Sequence, residues 1–210
     1  MKIHGNPLAF FETSIHKNHI AAIIQFGSSL RRESHRDLDV AVVVRRGLYE
    51  KFLQEPRRRR LGQLDISVIR EEEVLSSRKF RFGGHGAHFL YSLIHGRTLY
   101  GTNPFKRFKV IESQIRRSVL LRLYDYIEDV RRAVVQGNIR RSIRKRWQKF
   151  LRLSLFLLDS KLHYFEALDL SDNAVYVLLK RKKIILNEKN LLLDYEILWQ
   201  RVLRRYKFIK

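Results

Sequence analysis

Apolar residues in the first half of the chain fall into short runs that are separated by turns and by segments of helical spacing. Runs that are rich in β-branched residues and bounded by turn residues predict strands. Segments that begin with acidic residues, or that repeat an apolar residue every three or four positions, predict helices. The predicted strands are residues 20–26, 37–44 and 63–69, and residues 97–101 are predicted to be a last short strand or a turn. The predicted helices are residues 7–17, 47–55, 71–78 and 86–95. The charged run 57–60 is predicted to be a loop or a hairpin edge.

The pattern changes near Pro104, after which almost every segment repeats an apolar position every three or four residues. The helices predicted in this second half are residues 108–134, 139–165, 172–181 and 190–206. Gly137 stops the first of them, as glycine commonly does at a helix end. The chain is therefore predicted to have two domains, residues 1–104 with strands and helices and residues 105–210 as an α-helical bundle.

Charge is the strongest global signal in the sequence. The chain has 43 Lys and Arg against 21 Asp and Glu, a net charge of +22. Residues 1–104 contribute +7 and residues 105–210 contribute +15. Such an excess attracts polyanions, which makes nucleic acid the leading partner. An anionic membrane is less favoured, because no helix pairs a basic face with an exposed aromatic face, and a generally basic composition is the remaining alternative.

Composition also narrows the chemistry and the location. Cysteine is absent, so disulfides and thiolate metal ligands are excluded. No window approaches the roughly 18 uncharged apolar residues of a membrane span. Residues 1–20 include Pro7, Glu12 and three histidines, which a signal peptide would not contain. The sequence therefore favours a cytoplasmic protein without a membrane span.

Two carboxylates, Asp37 and Asp39, open the second predicted strand. Residues i and i+2 of a strand share a face, so both side chains point the same way. Unpaired like charges beside a core are costly or become protonated, and either a divalent cation or basic partners such as Arg31, Arg32 or Arg36 would stabilise them. Magnesium binds through one or two carboxylates plus substrate phosphates. The pattern therefore predicts either a metal site or a salt-bridged strand edge.

A phosphate-binding turn is predicted beside this pair. Gly27 and Ser28 end the first predicted strand, where glycine lets a phosphate approach the backbone and serine offers a hydroxyl donor. Asp65 stands between two apolar residues of the third predicted strand, as a third placed carboxylate. With two metal ions about 3.5–4 Å apart, such a triad could bind a triphosphate and deprotonate an attacking hydroxyl.

The order of these residues resembles the signature of the DNA polymerase beta-type nucleotidyltransferase superfamily, which has a Gly-Ser turn, then Asp-hydrophobic-Asp, then a third acid on an adjacent strand. The matching residues are Gly27, Ser28, Asp37, Leu38, Asp39 and Asp65. The segment 27–34, GSSLRRES, is also similar to the Gly-Ser-x-x-Arg-Gly-Glu-x pattern of minimal and kanamycin-type nucleotidyltransferases, with Arg31 and Glu33 in register. The resemblance covers about residues 20–101.

This resemblance implies an α+β fold, in which a small mixed β-sheet with flanking helices is followed by a helical bundle. It implies transfer of a nucleoside monophosphate from a nucleoside triphosphate to a hydroxyl, with Mg²⁺ or Mn²⁺ as cofactor and pyrophosphate leaving. Asp37, Asp39 and Asp65 would be the catalytic and metal-binding residues, and Asp65 would help to activate the acceptor hydroxyl. The nucleotide-binding residues would be Gly27, Ser28 and Arg31.

Two departures from the family pattern leave an alternative open. Eight residues separate Ser28 from Asp37, slightly fewer than is usual, and Arg32 stands where relatives often have glycine. A shortened loop can still hold a phosphate. Otherwise the site is degenerate, and the protein is a catalytically inactive nucleic-acid-binding or antitoxin-type module with the same fold.

The basic second half favours RNA, such as tRNA, as the polyanionic acceptor. Five cations lie away from the apolar stripe of their predicted helix and are predicted to contact a phosphate backbone. They are Arg140, Arg141, Arg144, Lys145 and Lys149. Trp147 lies within the stripe, which favours core packing over base stacking. The basic runs 57–60 and 180–183 are either further phosphate contacts or solvated loops, and a partner protein or a second copy of the chain is left open.

Overall fold

The computed structural model describes six stretches of the chain. They are residues 17–30, 38–54, 64–75, 86–136, 139–187 and 190–206. The predicted helix at 7–17, up to residue 16, and the charged run 57–60 lie outside these stretches. The chain divides into two units, residues 1–111 and residues 112–210.

The first unit is built on one mixed sheet of four described strands. They are β1 Ile20–Phe26, β2 Leu38–Val44, β3 Leu64–Arg70 and β4 Arg97–Gly101. Their order is β3-β2-β1-β4, with β1 antiparallel to both β2 and β4 and with β2 parallel to β3. A parallel pair requires a crossover connection, and a short helix, α1 Tyr49–Gln54, lies in the one that joins β2 to β3. The predicted strands and the mixed sheet are confirmed.

Both faces of the central strand β2 are buried. Val40 and Val42 belong to a core cluster that includes Phe52 of α1. Ala41 and Val43, on the opposite face, belong to a second cluster with α2 Glu71–Leu75 and α3 Gly86–Ile94. A strand that is covered on both faces has no polar alternation, which explains the nearly continuous apolar run in the sequence.

The second unit is a group of helices around one central helix. The described helices are α4 Glu112–Val135, α5 Ile139–Leu158, α6 Tyr164–Asp169, α7 Asp172–Arg181 and α8 Leu191–Tyr206. The other four helices all pack against α5. Residues 150–158 of α5 are buried on every side of the helix, and Phe150, Leu155 and Phe156 are completely buried, as expected for a helix surrounded by others. No helix in the described ranges has the length and apolar character needed to cross a membrane.

The prediction of one continuous helix over residues 139–165 is wrong. Helix α5 ends at Leu158, and α6 begins only at Tyr164. The break is held by Arg116 of α4, which donates hydrogen bonds to the backbone oxygens of Phe156, of Asp159 at 3.2 Å and of Leu162 at 3.1 Å. Carbonyls at a helix end lack hydrogen-bond donors inside the helix. Arg116, from a different part of the chain, supplies these donors.

The first long helix of this half begins later than predicted. Helix α4 starts at Glu112, four residues after the predicted start at Phe108. The reason is that Phe108 packs into the core of the first unit, after a short 3-10 helix at Pro104–Arg107. Its apolar side chain therefore matched the helical period by chance.

Replacing Arg116 by alanine is expected to lower the free energy of unfolding by about 2–3 kcal/mol, because a buried acceptor that loses its donor costs about 1–3 kcal/mol. The melting temperature should fall by roughly 4–10 °C, measured by circular dichroism. The control is Arg117→Ala, an exposed neighbour on the same helix, which should change stability by less than about 0.5 kcal/mol. Equal melting of the two variants would contradict the role given to Arg116.

Candidate active site

Asp39 and Asp65 lie side by side on neighbouring strands. They are direct partners in the parallel register of β2 and β3. Adjacent strands are about 4.8 Å apart, and side chains of residues in register point to the same face. Each aspartate is the second residue of its strand, so both carboxylates lie at the same end of the sheet; Asp39 is half-buried and Asp65 is exposed.

Gly27 brings the turn after β1 directly against this pair. Phe26, the last residue of β1, is the partner of Asp39 in the antiparallel register. Gly27 follows with φ of +79°, a left-handed conformation that favours glycine. A Cβ at this position would overlap Asp39 Oδ2 and lie 2.9 Å from Asp39 Cγ. The carboxylate of Asp39 therefore occupies the space that a side chain at position 27 would need.

The turn Gly27–Leu30 is a single 3-10 turn, and its two serines have different surroundings. Ser29 donates its hydroxyl to the backbone oxygen of Phe26 at 3.1 Å and accepts from Gln25 Nε2 at 3.2 Å. Ser28 is exposed. Ser29 therefore stabilises the turn, while Ser28 presents its hydroxyl to solvent. Sequence reasoning missed Ser29 and Gln25, because Ser29 falls on an unspecified position of the Gly-Ser-x-x-Arg-Gly-Glu-x pattern and Gln25 lies outside it.

Two glutamates of α2 tie the strand pair together. Glu71 accepts a hydrogen bond from the backbone N–H of Arg46, and Glu72 accepts one from that of Gly47, each at 2.9 Å. Hydrogen bonds from its own backbone N–H and from that of Gly47 lower the pKa of Glu72. Since α2 follows β3 and Gly47 follows β2, these bonds connect the far ends of the two strands that place Asp39 and Asp65.

The arrangement fits a hard divalent cation. Magnesium is held in proteins by one or two carboxylates together with substrate phosphates, and Asp39 and Asp65 supply two. Within the described ranges no group of three or more His, Asp or Glu side chains is placed to hold a metal. The third predicted ligand, Asp37, and the predicted nucleotide contact Arg31 lie outside the described residues.

The predicted nucleic-acid contacts are on α5. Lys149 is exposed and makes no hydrogen bond or ion pair with any residue that the structure describes. The side chains of the other four lie outside the described part; these residues are Arg140, Arg141, Arg144 and Lys145. Trp147 is 6% exposed and donates Nε1–H to Tyr176 Oη at 3.2 Å. The prediction that Trp147 packs in the core is confirmed.

Comparison with known proteins gives the fold. No model of a known protein family matches the chain, and no curated protein matches it. The chain is similar to the solved structure of spectinomycin adenyltransferase AAD(9) from Enterococcus faecialis with ATP and spectinomycin, with a TM-score of 0.55 and 14% identity over 93% of this chain and 98% of that chain. The chain therefore has a nucleotidyltransferase fold followed by a helical region, and the resemblance seen in the sequence is confirmed at the level of the fold.

A second solved structure adds no weight to this conclusion. A nucleotidyltransferase-like protein from Exiguobacterium sibiricum 255-15 matches with a TM-score of 0.31 and 16% identity, over 90% of this chain and 69% of that chain. That score is too low to support an argument.

Proposed function

We propose that this protein is a Mg²⁺-dependent nucleotidyltransferase that moves a nucleoside monophosphate from a nucleoside triphosphate to a hydroxyl of RNA. The observation that carries the proposal is the position of Asp39, which is in register with Asp65 and in contact with Gly27. Two carboxylates beside a turn that excludes a side chain suit a triphosphate bound through a hard cation. The fold is shared with an adenyltransferase whose structure contains ATP.

Binding of the triphosphate follows from the residues around the turn. Asp39 and Asp65, with Asp37, would hold Mg²⁺, which when bound supplies neutralisation of the phosphate charge. Glycine at position 27 lets the carboxylate of Asp39 pack against the turn, so a cation held by this carboxylate would lie next to the backbone of the turn. The exposed hydroxyl of Ser28 is a donor to a phosphate oxygen.

The transfer itself needs a base for the acceptor hydroxyl. Asp65 is the exposed member of the pair, so it accepts the hydroxyl proton. The hydroxyl oxygen then forms a bond to the α-phosphorus of the nucleotide. The bond from this phosphorus to the bridging oxygen breaks, and pyrophosphate leaves with the electron pair. The half-buried Asp39 would bind the cation that holds the triphosphate in place.

RNA is the proposed acceptor because of the distribution of charge. Residues 105–210 carry a net charge of +15, and charge of that size attracts a phosphate backbone. The exposed, unpartnered Lys149 is one described cation that is available for it. A small neutral acceptor would not need such an excess.

Incubation of the purified protein with each α-labelled nucleoside triphosphate, Mg²⁺ and total RNA is expected to label RNA, and EDTA should abolish the labelling. Spectinomycin is the second acceptor to include, because the similar adenyltransferase was solved with it. If only spectinomycin is labelled, the proposed nucleotidyltransferase activity stands and the proposal that RNA is the acceptor is wrong. Absence of both transfer and Mg²⁺-dependent nucleotide binding in calorimetry would favour the inactive module that the short loop suggested.

A further inference from the structure

A basic cavity lies in the helical unit and is lined by none of the residues of the candidate active site. Its volume is about 380 Å³, within the usual range for a small-molecule or nucleotide-sized group. Four of the six lining residues are cations; the six are Leu158, Lys182, Ile184, Arg201, Arg204 and Arg205. Three helices end around it, because Leu158 is the last residue of α5, Lys182 follows α7, and the arginines lie in the last turns of α8.

Two of the four cations have a structural role. Arg205 donates to the backbone oxygen of Leu158 at 2.8 Å, which satisfies a carbonyl at the end of α5. Lys182 pairs with Asp159 at 2.9 Å, and this bond, with the nearby Arg205, lowers the pKa of Asp159. Both contacts also place positive charge at helix C-termini, where the backbone carries a partial negative charge.

The other two cations make no such contact. Arg201 and Arg204 are exposed and make no hydrogen bond or ion pair with the residues that the structure describes. Three helix C-termini contribute roughly −0.5 each, and Asp159 contributes one more negative charge. Four cations exceed that sum by more than one unit of charge. Helix stabilisation therefore accounts for only part of this positive charge, and Arg201 and Arg204 are the two cations available to a ligand.

The surplus has the chemistry of a phosphate site. Guanidinium groups bind phosphate oxygens through paired N–H donors, and residues three apart on a helix lie on the same side, so Arg201 and Arg204 can act together. The positive surface continues beyond the cavity, because Lys180, Arg181 and Lys183 are all exposed next to Lys182. A ligand with several consecutive phosphates fits this extent better than a single anion does.

We propose that this cavity binds backbone phosphates of single-stranded RNA, with Arg201 and Arg204 as the contacts. The proposal deepens the proposed function and rests on its RNA acceptor. It also gives a role to the basic run 180–183, which the sequence left undecided between phosphate contact and solvated loop.

The test compares the double variant Arg201→Gln/Arg204→Gln with the double variant Arg117→Gln/Arg132→Gln, which removes the same charge from exposed positions of α4. Binding of a fluorescent 20-nucleotide oligouridylate is measured by anisotropy on the full chain, without triphosphate or Mg²⁺. The cavity variant should bind about 10–100-fold more weakly at 100 mM salt. Its slope of log K against log salt should fall by about 1.4, since each single-strand phosphate contact contributes about 0.7.

In the control variant the slope should fall by less than half as much as in the cavity variant. Both variants should melt at the same temperature as the wild type. Equal losses in the two variants, or unchanged binding in the cavity variant, would overturn the proposal. Inorganic pyrophosphate should compete with the oligonucleotide; if it binds at the cavity while oligonucleotide binding is unaffected by the variant, the site serves a free phosphate and the RNA assignment is wrong. Binding to anionic vesicles but not to RNA would equally overturn it.

This design distinguishes a failure of the cavity proposal from a failure of the proposed transferase activity. If the wild type transfers no nucleotide but its RNA binding depends on Arg201 and Arg204, the proposed activity is wrong and the proposed RNA site in the cavity stands. If the wild type transfers nucleotide but RNA binding is unchanged in the double variant, the proposed activity stands and the RNA site in the cavity is wrong.

Discussion

Replacing Asp39 by asparagine is expected to lower the rate of nucleotide transfer by at least about 1,000-fold, which corresponds to about 4 kcal/mol of transition-state stabilisation. Asparagine has the shape of aspartate but not its charge, so the contact with Gly27 remains while one of two adjacent carboxylates is lost. The measurement is the initial rate of label transfer at saturating triphosphate. Calorimetry should show a parallel loss of Mg²⁺-dependent nucleotide binding.

The matched control is Asp125→Asn. Asp125 lies on the surface of α4, where its side chain is 62% exposed and its only described ion pair is a long one, at 3.9 Å from Arg122. The change of charge and shape is the same, and transfer should stay within about twofold of the wild type. Transfer by Asp39→Asn within tenfold of the wild type would contradict the metal-binding role of Asp39.

Gly27→Ala is expected to lower transfer by at least about 100-fold and the free energy of unfolding by about 1–3 kcal/mol. Two effects act together. A non-glycine residue at φ of +79° is strained, and the added methyl overlaps the carboxylate of Asp39. The carboxylate must move, or the turn must open, and either change displaces the phosphate-binding turn from its acid.

Gly47→Ala separates these two effects. Gly47 also has a positive φ, +71°, but a Cβ there would have no atom within 4 Å. This variant should lose about 1 kcal/mol of stability through backbone strain and keep its transfer rate. If Gly47→Ala loses transfer as fully as Gly27→Ala, general destabilisation is the cause and the argument from steric overlap fails.

Strands and helices of this protein were predictable because their signals are local. The β-branched runs gave β1, β2 and β3, and the acids at 71–73 gave the start of α2. The neighbourhood of Gly27, Asp39 and Asp65 was inferred from their order in the sequence, but the parallel register of β2 and β3 has no local signature. It depends on a crossover and on hydrogen bonds between residues 25 positions apart.

The errors in the prediction arise where the structure depends on contacts between residues that are distant in the sequence. Apolar spacing continues through Leu158, Leu162 and Phe165, so nothing local shows that the helix ends at Leu158. The residue that holds the break, Arg116, is 40 positions away from Phe156. The basic cavity was also missed, because its cations come from separate segments, and only the fold brings Lys182 beside Arg204.

The pairing of β2 with β3 has a consequence for how this protein can fail. Side chains alternate between faces along a strand, so a slip of β3 by one residue would turn Asp65 to the opposite side of the sheet. The same slip would turn Ile69, which is 1% exposed, out of the core, so the apolar pattern of β3 also opposes it. The glutamate hydrogen bonds to Arg46 and Gly47 work against this slip. Removing these two hydrogen bonds would therefore let a larger fraction of molecules slip, and specific activity would then report on the alignment of the strands as well as on folding.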